Sequence, residues 1–209
     1  GNAFPAELLP EKIAFNGIDF DLGPSGVDHP DAVVARGQTI QLPAGNYNRV
    51  YLLATAVDGD QQAEFKVGTH SANLTIEDWG GFIGQWDDRQ WKPSQETIPA
   101  RPGRPARTET DPYGEMTGIK PGFIKRASLA WYSDHHHDAS GKNVAYSYSY
   151  LFGYSIDLPR GAKSITLPTN DKVRILAISV ANENPSATPV QPLYDTLGRS
   201  EPSLTVEQH

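Results

Sequence analysis

Apolar residues in this chain alternate with polar ones over short stretches and do not recur at a helical spacing, so the elements they predict are strands. Ala63, Phe65 and Val67 alternate with Glu64 and Lys66 as a half-exposed strand. The run 47–57 is apolar on both sides, with Val50, Leu52 and Ala54 on one face and Tyr51, Leu53 and Thr55 on the other. Ile13 and Phe15, then Ile18 and Phe20, flank Asn16-Gly17, a dipeptide that supplies the positive φ of a tight hairpin turn. Further strands are expected near 32–35, 38–42, 123–132, 146–156, 162–167 and 173–180, and strand with a bulge from Leu74 through Trp86. No long amphipathic helix is predicted; residues 5–9 form at most one helical turn.

One phrase occurs twice. Ile40-Gln41-Leu42-Pro43-Ala44-Gly45 leads into the buried strand Tyr51 to Val57, and Ile156-Asp157-Leu158-Pro159-Arg160-Gly161 leads towards Arg174 to Val180. Proline removes an amide donor and glycine opens positive φ, so each copy predicts a corner where the chain leaves one sheet and enters another. The fold expected is all-β, an antiparallel β-sandwich of jelly-roll, galactose-binding-like type. Residues 1–11 read as an N-terminal extension, 12–183 as the sandwich domain and 184–209 as an irregular tail. Pro93, Pro99, Pro102, Pro105, Pro112 and Pro121, set among Arg101, Arg104 and Arg107, predict a long loop over 87–122. Ser133 to Asn143 reads as a second, polar interruption.

Composition narrows the function classes. A length of 209 residues allows a self-sufficient core, and 17 prolines with 19 glycines indicate corners rather than disorder, because aromatics stay plentiful. A net charge of −7 argues against nucleic acid and anionic membranes as partners, since both need clustered cations. The absence of cysteine excludes disulfides and thiolate chemistry. The start at Gly1, without Met, leads us to expect a targeting signal and a catalytic part upstream.

His135-His136-His137, flanked by Asp134 and Asp138, is the obvious place to seek a metal. On a strand His135 and His137 share a face while His136 points away, leaving two imidazoles and no third ligand in view. A polar hairpin turn is the reading these residues favour, with His135 and His137 kept as candidate ligands. Asp58-Gly59-Asp60 with Asp19, Asp21, Asp28 and Asp31 would suit a structural calcium ion, but Asx residues are equally what turns require. No other cofactor is expected.

A hydrolase needs two carboxyl groups facing each other about 5 to 9 Å apart. Glu77 with Asp78, and Asp87 with Asp88, are neighbours whose side chains leave a strand on opposite faces, so an independent catalytic centre is not expected. Aromatic residues offer more. Trp79, Trp86, Trp91 and Tyr132, with Gln85, Asp87, Arg89, Asp134, His135 and His137 beside them, suit either a sugar, stacked on rings and bonded to polar tips, or a domain interface. Trp131, in an apolar strand, reads as core.

Several strings together resemble a known family. Gly37 to Pro43, Asn46 to Ala54, Asp58 to Gln61, Asp78 to Gly81, Gly84 to Asp87, Phe123 to Arg126 and Trp131 to His137 are similar to the C-terminal β-rich region of bacterial alpha-mannosidases of glycoside hydrolase family 38 type. The resemblance spans about residues 12–183. It implies a parent enzyme whose zinc site and nucleophile lie upstream, and a chain that is a non-catalytic accessory module contacting carbohydrate, the catalytic domain, or both. A purely structural packing module is the alternative, and a stand-alone hydrolase a third. A periplasmic or extracellular location follows from the same resemblance.

Overall fold

A computed structural model describes residues 2–23 and 31–183, and of residues 86–88 and 121 the backbone only. Asp28 and the tail 184–209 lie outside the described residues. The described chain divides into two compact units, residues 2–82 with 126–183, and residues 83–125.

In the first unit a short hairpin comes first, β1 (Lys12–Phe15) and β2 (Ile18–Asp21). Asn16 and Gly17 both have positive φ, 51° and 75°, as the Asn-Gly turn predicts. Next come β3 (Val33–Arg36), β4 (Thr39–Gln41), β5 (Arg49–Ala56), β6 (Gln61–Val67) and β7 (His70–Ile76). The second unit holds β8 (Gly84–Ile98) and β9 (Arg107–Ile124). The chain then completes the first unit with β10 (Ser128–His137), β11 (Asn143–Asp157), β12 (Ser164–Thr166) and β13 (Thr169–Ala181).

Two sheets face each other in the first unit, a five-stranded one ordered β10-β11-β5-β13-β3 and a four-stranded one ordered β4-β12-β6-β7. All strand pairs within them are antiparallel. Alternate residues of each inner face fill the space between: Leu52 of β5, Phe65 of β6, Phe152 of β11 and Ile165 of β12 have no exposed surface. Burying one such side chain contributes about 1.5–3 kcal/mol relative to leaving it in water. The outer face of the five-stranded sheet is also apolar, and the β1–β2 hairpin covers it. Ile13, Phe15 and Phe20 pack there on Tyr51, Leu53 and Leu151. Strand β5 is therefore buried on both faces, which is why Thr55, whose hydroxyl donates to Glu77 O, is its one polar residue after Arg49.

The repeated phrase does turn corners. Its first copy takes the chain from β4 of the smaller sheet to β5 of the larger, and its second from β11 of the larger to β12 of the smaller. The copies also brace each other: Leu42 N donates to Lys163 O at 2.8 Å, and Leu158 N to Asn48 O at 2.9 Å. Only Gly161 uses positive φ, at 82°. Gly45 is needed for space, since a Cβ there would overlap the ring of Tyr47.

The expected loop over 87–122 is mostly an antiparallel ribbon of β8 and β9. Pro102 and Gly103 turn it, Gly103 at φ 80°, while Arg101 and Arg104 exchange backbone hydrogen bonds of 2.9 and 2.8 Å. Prolines are compatible with a two-stranded ribbon because its outer amides face no partner strand, and because Pro93 and Pro112 fall where the register shifts. The second expected interruption shrinks to a turn. β10 runs through all three histidines, and Asp138 closes the hairpin by accepting from Ser140 N at 2.8 Å, Ser140 Oγ at 2.6 Å and Lys142 N at 3.0 Å. Those bonds hold the Asp138 carboxyl below its ordinary pKa.

The N-terminal residues 2–11 are tied to the first unit. Ala3 pairs with His137 on the outer edge of β10, through backbone bonds of 2.9 and 3.0 Å. Pro5 is fully buried, and Leu8 N and Leu9 N both donate to Pro5 O, giving the single helical turn that the sequence predicts.

Candidate functional site

The end of β10 gathers the chemistry that the sequence scatters. Trp79 follows β7, where Trp79 N donates to Ala56 O and Trp79 O accepts from Tyr150 N at 2.7 Å. Its backbone is thus held between β5 and β11. Phe4 lies edge-on to Trp79, with ring centroids 5.6 Å apart, and edge-on to Trp131 at 5.4 Å. On its other side Trp79 meets the imidazole of His136 at 5.1 Å. Aromatic pairs in such edge-to-face geometry contribute about 0.5–1.5 kcal/mol beyond area burial, so Phe4 fastens the N-terminal segment to the sheet.

Trp79 and Phe4 wall a cleft of about 420 Å³. Buried Thr55 and half-buried Leu176 line it, and Asn2, Asp31, Asp58 and Arg174 add polar and charged groups. Asp58 is ion-paired with Lys172, which keeps its carboxyl below the ordinary range and the ammonium above its own. A wider cleft of about 720 Å³ opens between the two corners. Its polar side chains already serve each other: Asn48 exchanges two hydrogen bonds with the backbone of Glu183, 2.6 and 2.8 Å, and Glu183 accepts from Tyr51 Oη.

Along β10, His135 and His137 share a face, as strand alternation requires, with ring centroids 5.8 Å apart. Glu7 of the N-terminal turn reaches both. Its Oε1 lies 3.3 Å from His135 Nε2 and 3.1 Å from His137 Nε2. Asp134 Oδ1 lies 2.8 Å from His135 Nδ1. The hydrogen bond to Asp134, then that to Glu7, raises the His135 pKa. Glu7 is lowered, chiefly by a backbone hydrogen bond and further by the two histidines.

Of the residues singled out in the sequence, Asp134, His135 and His137 come together here, while Trp79 packs on the intervening His136. Tyr132 stands on the opposite face of the same hairpin, 60% exposed and across from Tyr150, which stacks on Tyr148 at an interplanar angle of 4°. Gln85, Trp86, Asp87, Arg89 and Trp91 lie on β8 of the ribbon, in the second unit. The side chains of Trp86 and Asp87 are outside the described residues. Trp91 is exposed and edge-on to Tyr113 at 5.7 Å. Three of the aspartates considered for calcium have other partners: Asp60 Oδ1 accepts from Asp78 N at 2.8 Å, Asp21 meets Lys12 at 2.9 Å and Asp58 is paired with Lys172. Asp58 and Gly59 carry the positive φ of the turn after β5. Among the described residues these aspartates form no group of three that could share an ion.

Sequence reasoning missed Phe4, Glu7 and Arg174. Phe4 and Glu7 stand in a stretch read as an extension, and Glu7 finds its partners 128 and 130 positions away, so no local spacing announces it.

No curated protein matches the chain. A family model does match, over residues 1–184, that of the AziU2-like beta-sandwich domain. It agrees with the two-sheet fold, and nothing in the comparisons ties the chain to alpha-mannosidases. The chain belongs to the family of AziU2-like beta-sandwich domains.

Proposed function

We propose that this chain is a non-catalytic accessory β-sandwich module that takes a carbohydrate into the cleft walled by Trp79 and Phe4. The observation that carries the reading is the cleft itself, where an aromatic wall faces Asp31, Asp58 and Arg174 in about 420 Å³. Sugars present apolar C–H faces to rings and hydroxyls to charged acceptors and donors, and this lining offers both.

The sequence strings similar to alpha-mannosidases make mannosides the first ligands to try. An attached glycoside hydrolase domain, and a periplasmic or extracellular setting, belong to the same proposal. Isothermal titration of the full chain with mannobiosides, followed by a glycan array, tests it. Saturable binding weakened at least tenfold by Trp79→Ala and unchanged by Trp91→Ala is the expected result. No binding to any glycan overturns it.

A second reading has its own observation. Leu129, Tyr132, Tyr146 and Tyr148 are exposed on the β10–β11 hairpin, Tyr146 at 88%. Such an aromatic patch suits packing against another protein domain.

A further inference from the structure

We propose that Glu7 Oε1, His135 Nε2 and His137 Nε2 bind one divalent transition-metal ion of the zinc class, with a fourth position left for water or an anionic donor. The ligand atoms of the three residues lie within 4.8 Å of one another. In a tetrahedral zinc site with bonds of about 2.0–2.1 Å, neighbouring donors stand about 3.3 Å apart. The two distances from Glu7 Oε1 are 3.3 and 3.1 Å. Two edges of the tetrahedron are therefore already in place, and the third closes by a small swing of two imidazoles whose planes differ by 34°.

The arrangement is held from outside. Strand alternation puts both histidines on one face, and the Ala3–His137 bridge with buried Pro5 fixes the turn that carries Glu7. Asp134 Oδ1, at 2.8 Å from His135 Nδ1, accepts a hydrogen bond from that nitrogen, which holds the proton there and leaves Nε2 free to coordinate, the carboxylate–histidine arrangement of metal sites. The side chains of His135 and His137 are 15% and 21% exposed, so an ion can enter from solvent.

Two imidazoles and one carboxylate are a borderline donor set, which selects zinc and its first-row neighbours over calcium or magnesium. Three protein ligands with an open position is the pattern of a site that can take up a further donor. Coordination would clamp residues 3–9 onto β10 beside the Trp79–Phe4 wall, because His136, between the two ligands, packs on Trp79. None of this depends on carbohydrate binding.

The test uses the full chain without a histidine tag, stripped with chelator and titrated with zinc chloride by calorimetry, with calcium chloride in parallel and cobalt(II) as an optical probe. The expected result is one zinc per chain, weak or no calcium binding, and the visible absorption of tetrahedral cobalt. Glu7→Gln and His137→Ala should each weaken zinc by more than about 100-fold and Asp134→Asn by about tenfold, with His70→Ala unchanged. Far-UV circular dichroism verifies folding of each variant, and Glu7→Gln, on an exposed turn, keeps the test valid if a histidine variant unfolds. The proposal is overturned by the absence of saturable 1:1 zinc binding, by equal affinity in wild type and Glu7→Gln, or by a preference for calcium.

Discussion

Arg126 N donates to Glu77 Oε1 at 2.8 Å, and Ala127 N shares the same oxygen at 3.3 Å. Glu77 is 3% exposed and follows β7, so a buried carboxylate receives the chain as it returns from the ribbon into the sandwich. Its own backbone is tied as well, with Glu77 N donating to Tyr154 Oη at 2.8 Å. Glu77→Ala would leave two part-buried amides without their acceptor, a cost of about 2 kcal/mol. A lowered denaturation midpoint with less loss in Glu77→Gln is the expected pattern, and unchanged midpoints in both would remove the role assigned to this carboxylate.

Gly153 of β11 lies under the ring of Phe15, where an added Cβ would overlap the aromatic carbons. Gly153→Ala must therefore lift the β1–β2 hairpin off the sheet, at about 1–3 kcal/mol. Pairing it with Phe15→Leu, which makes room, should recover part of the loss in a double-mutant cycle. Strict additivity of the two substitutions would show that the contact is not the cause.

Tyr51 is pushed up from an ordinary pKa of 10.0 to about 12, first by burial and then by its hydrogen bond to Glu183. The folded state thus prefers the neutral phenol. This contribution is whole below pH 10 and is lost as pH rises through about 12, at most about 2.5 kcal/mol. Denaturation midpoints measured from pH 9 upwards should fall more steeply in wild type than in Tyr51→Phe. Parallel profiles for the two proteins would contradict the assignment.

Tyr146 holds φ at 59°, in the left-handed region, with its ring 88% exposed. It sits where β11 bulges, between the Ser133–Ser149 and His135–Ala145 pairs. That backbone costs a non-glycine residue about 1 kcal/mol, and asparagine tolerates it better. Tyr146→Asn should raise the thermal midpoint by a few degrees. If the aromatic patch packs on another domain, the same substitution weakens that association while stabilising the free chain. A lower midpoint would mean that the Tyr146 ring contributes to the fold.

How far the sequence is legible depends on whether a residue's partner is implied by period. Val50 to Ala56 announce a strand buried on both faces because both alternating sets are apolar. Asn16-Gly17 and the two Pro-x-Gly corners announce their turns through backbone chemistry alone. The ribbon is hidden because its pairs mix polar and apolar residues and none of its described side chains is buried, so alternation carries no contrast, and its six prolines mimic a loop. Pro102-Gly103 was the one local sign of its turn. In the candidate site, the shared face of His135 and His137 follows from strand geometry. The third member, Glu7, was invisible because only the tertiary docking of Phe4 and Pro5 brings it there.

Lys125 N donates to Ile83 O at 2.7 Å, so the ribbon's two ends meet. A segment of some forty residues is thereby inserted like a cassette at a single joint. Joining its ends by a short link costs little chain entropy, since doubling a loop's length changes closure by only about 0.6 kcal/mol. Trimming, lengthening or grafting this insert should leave the threading of every sandwich strand as it was.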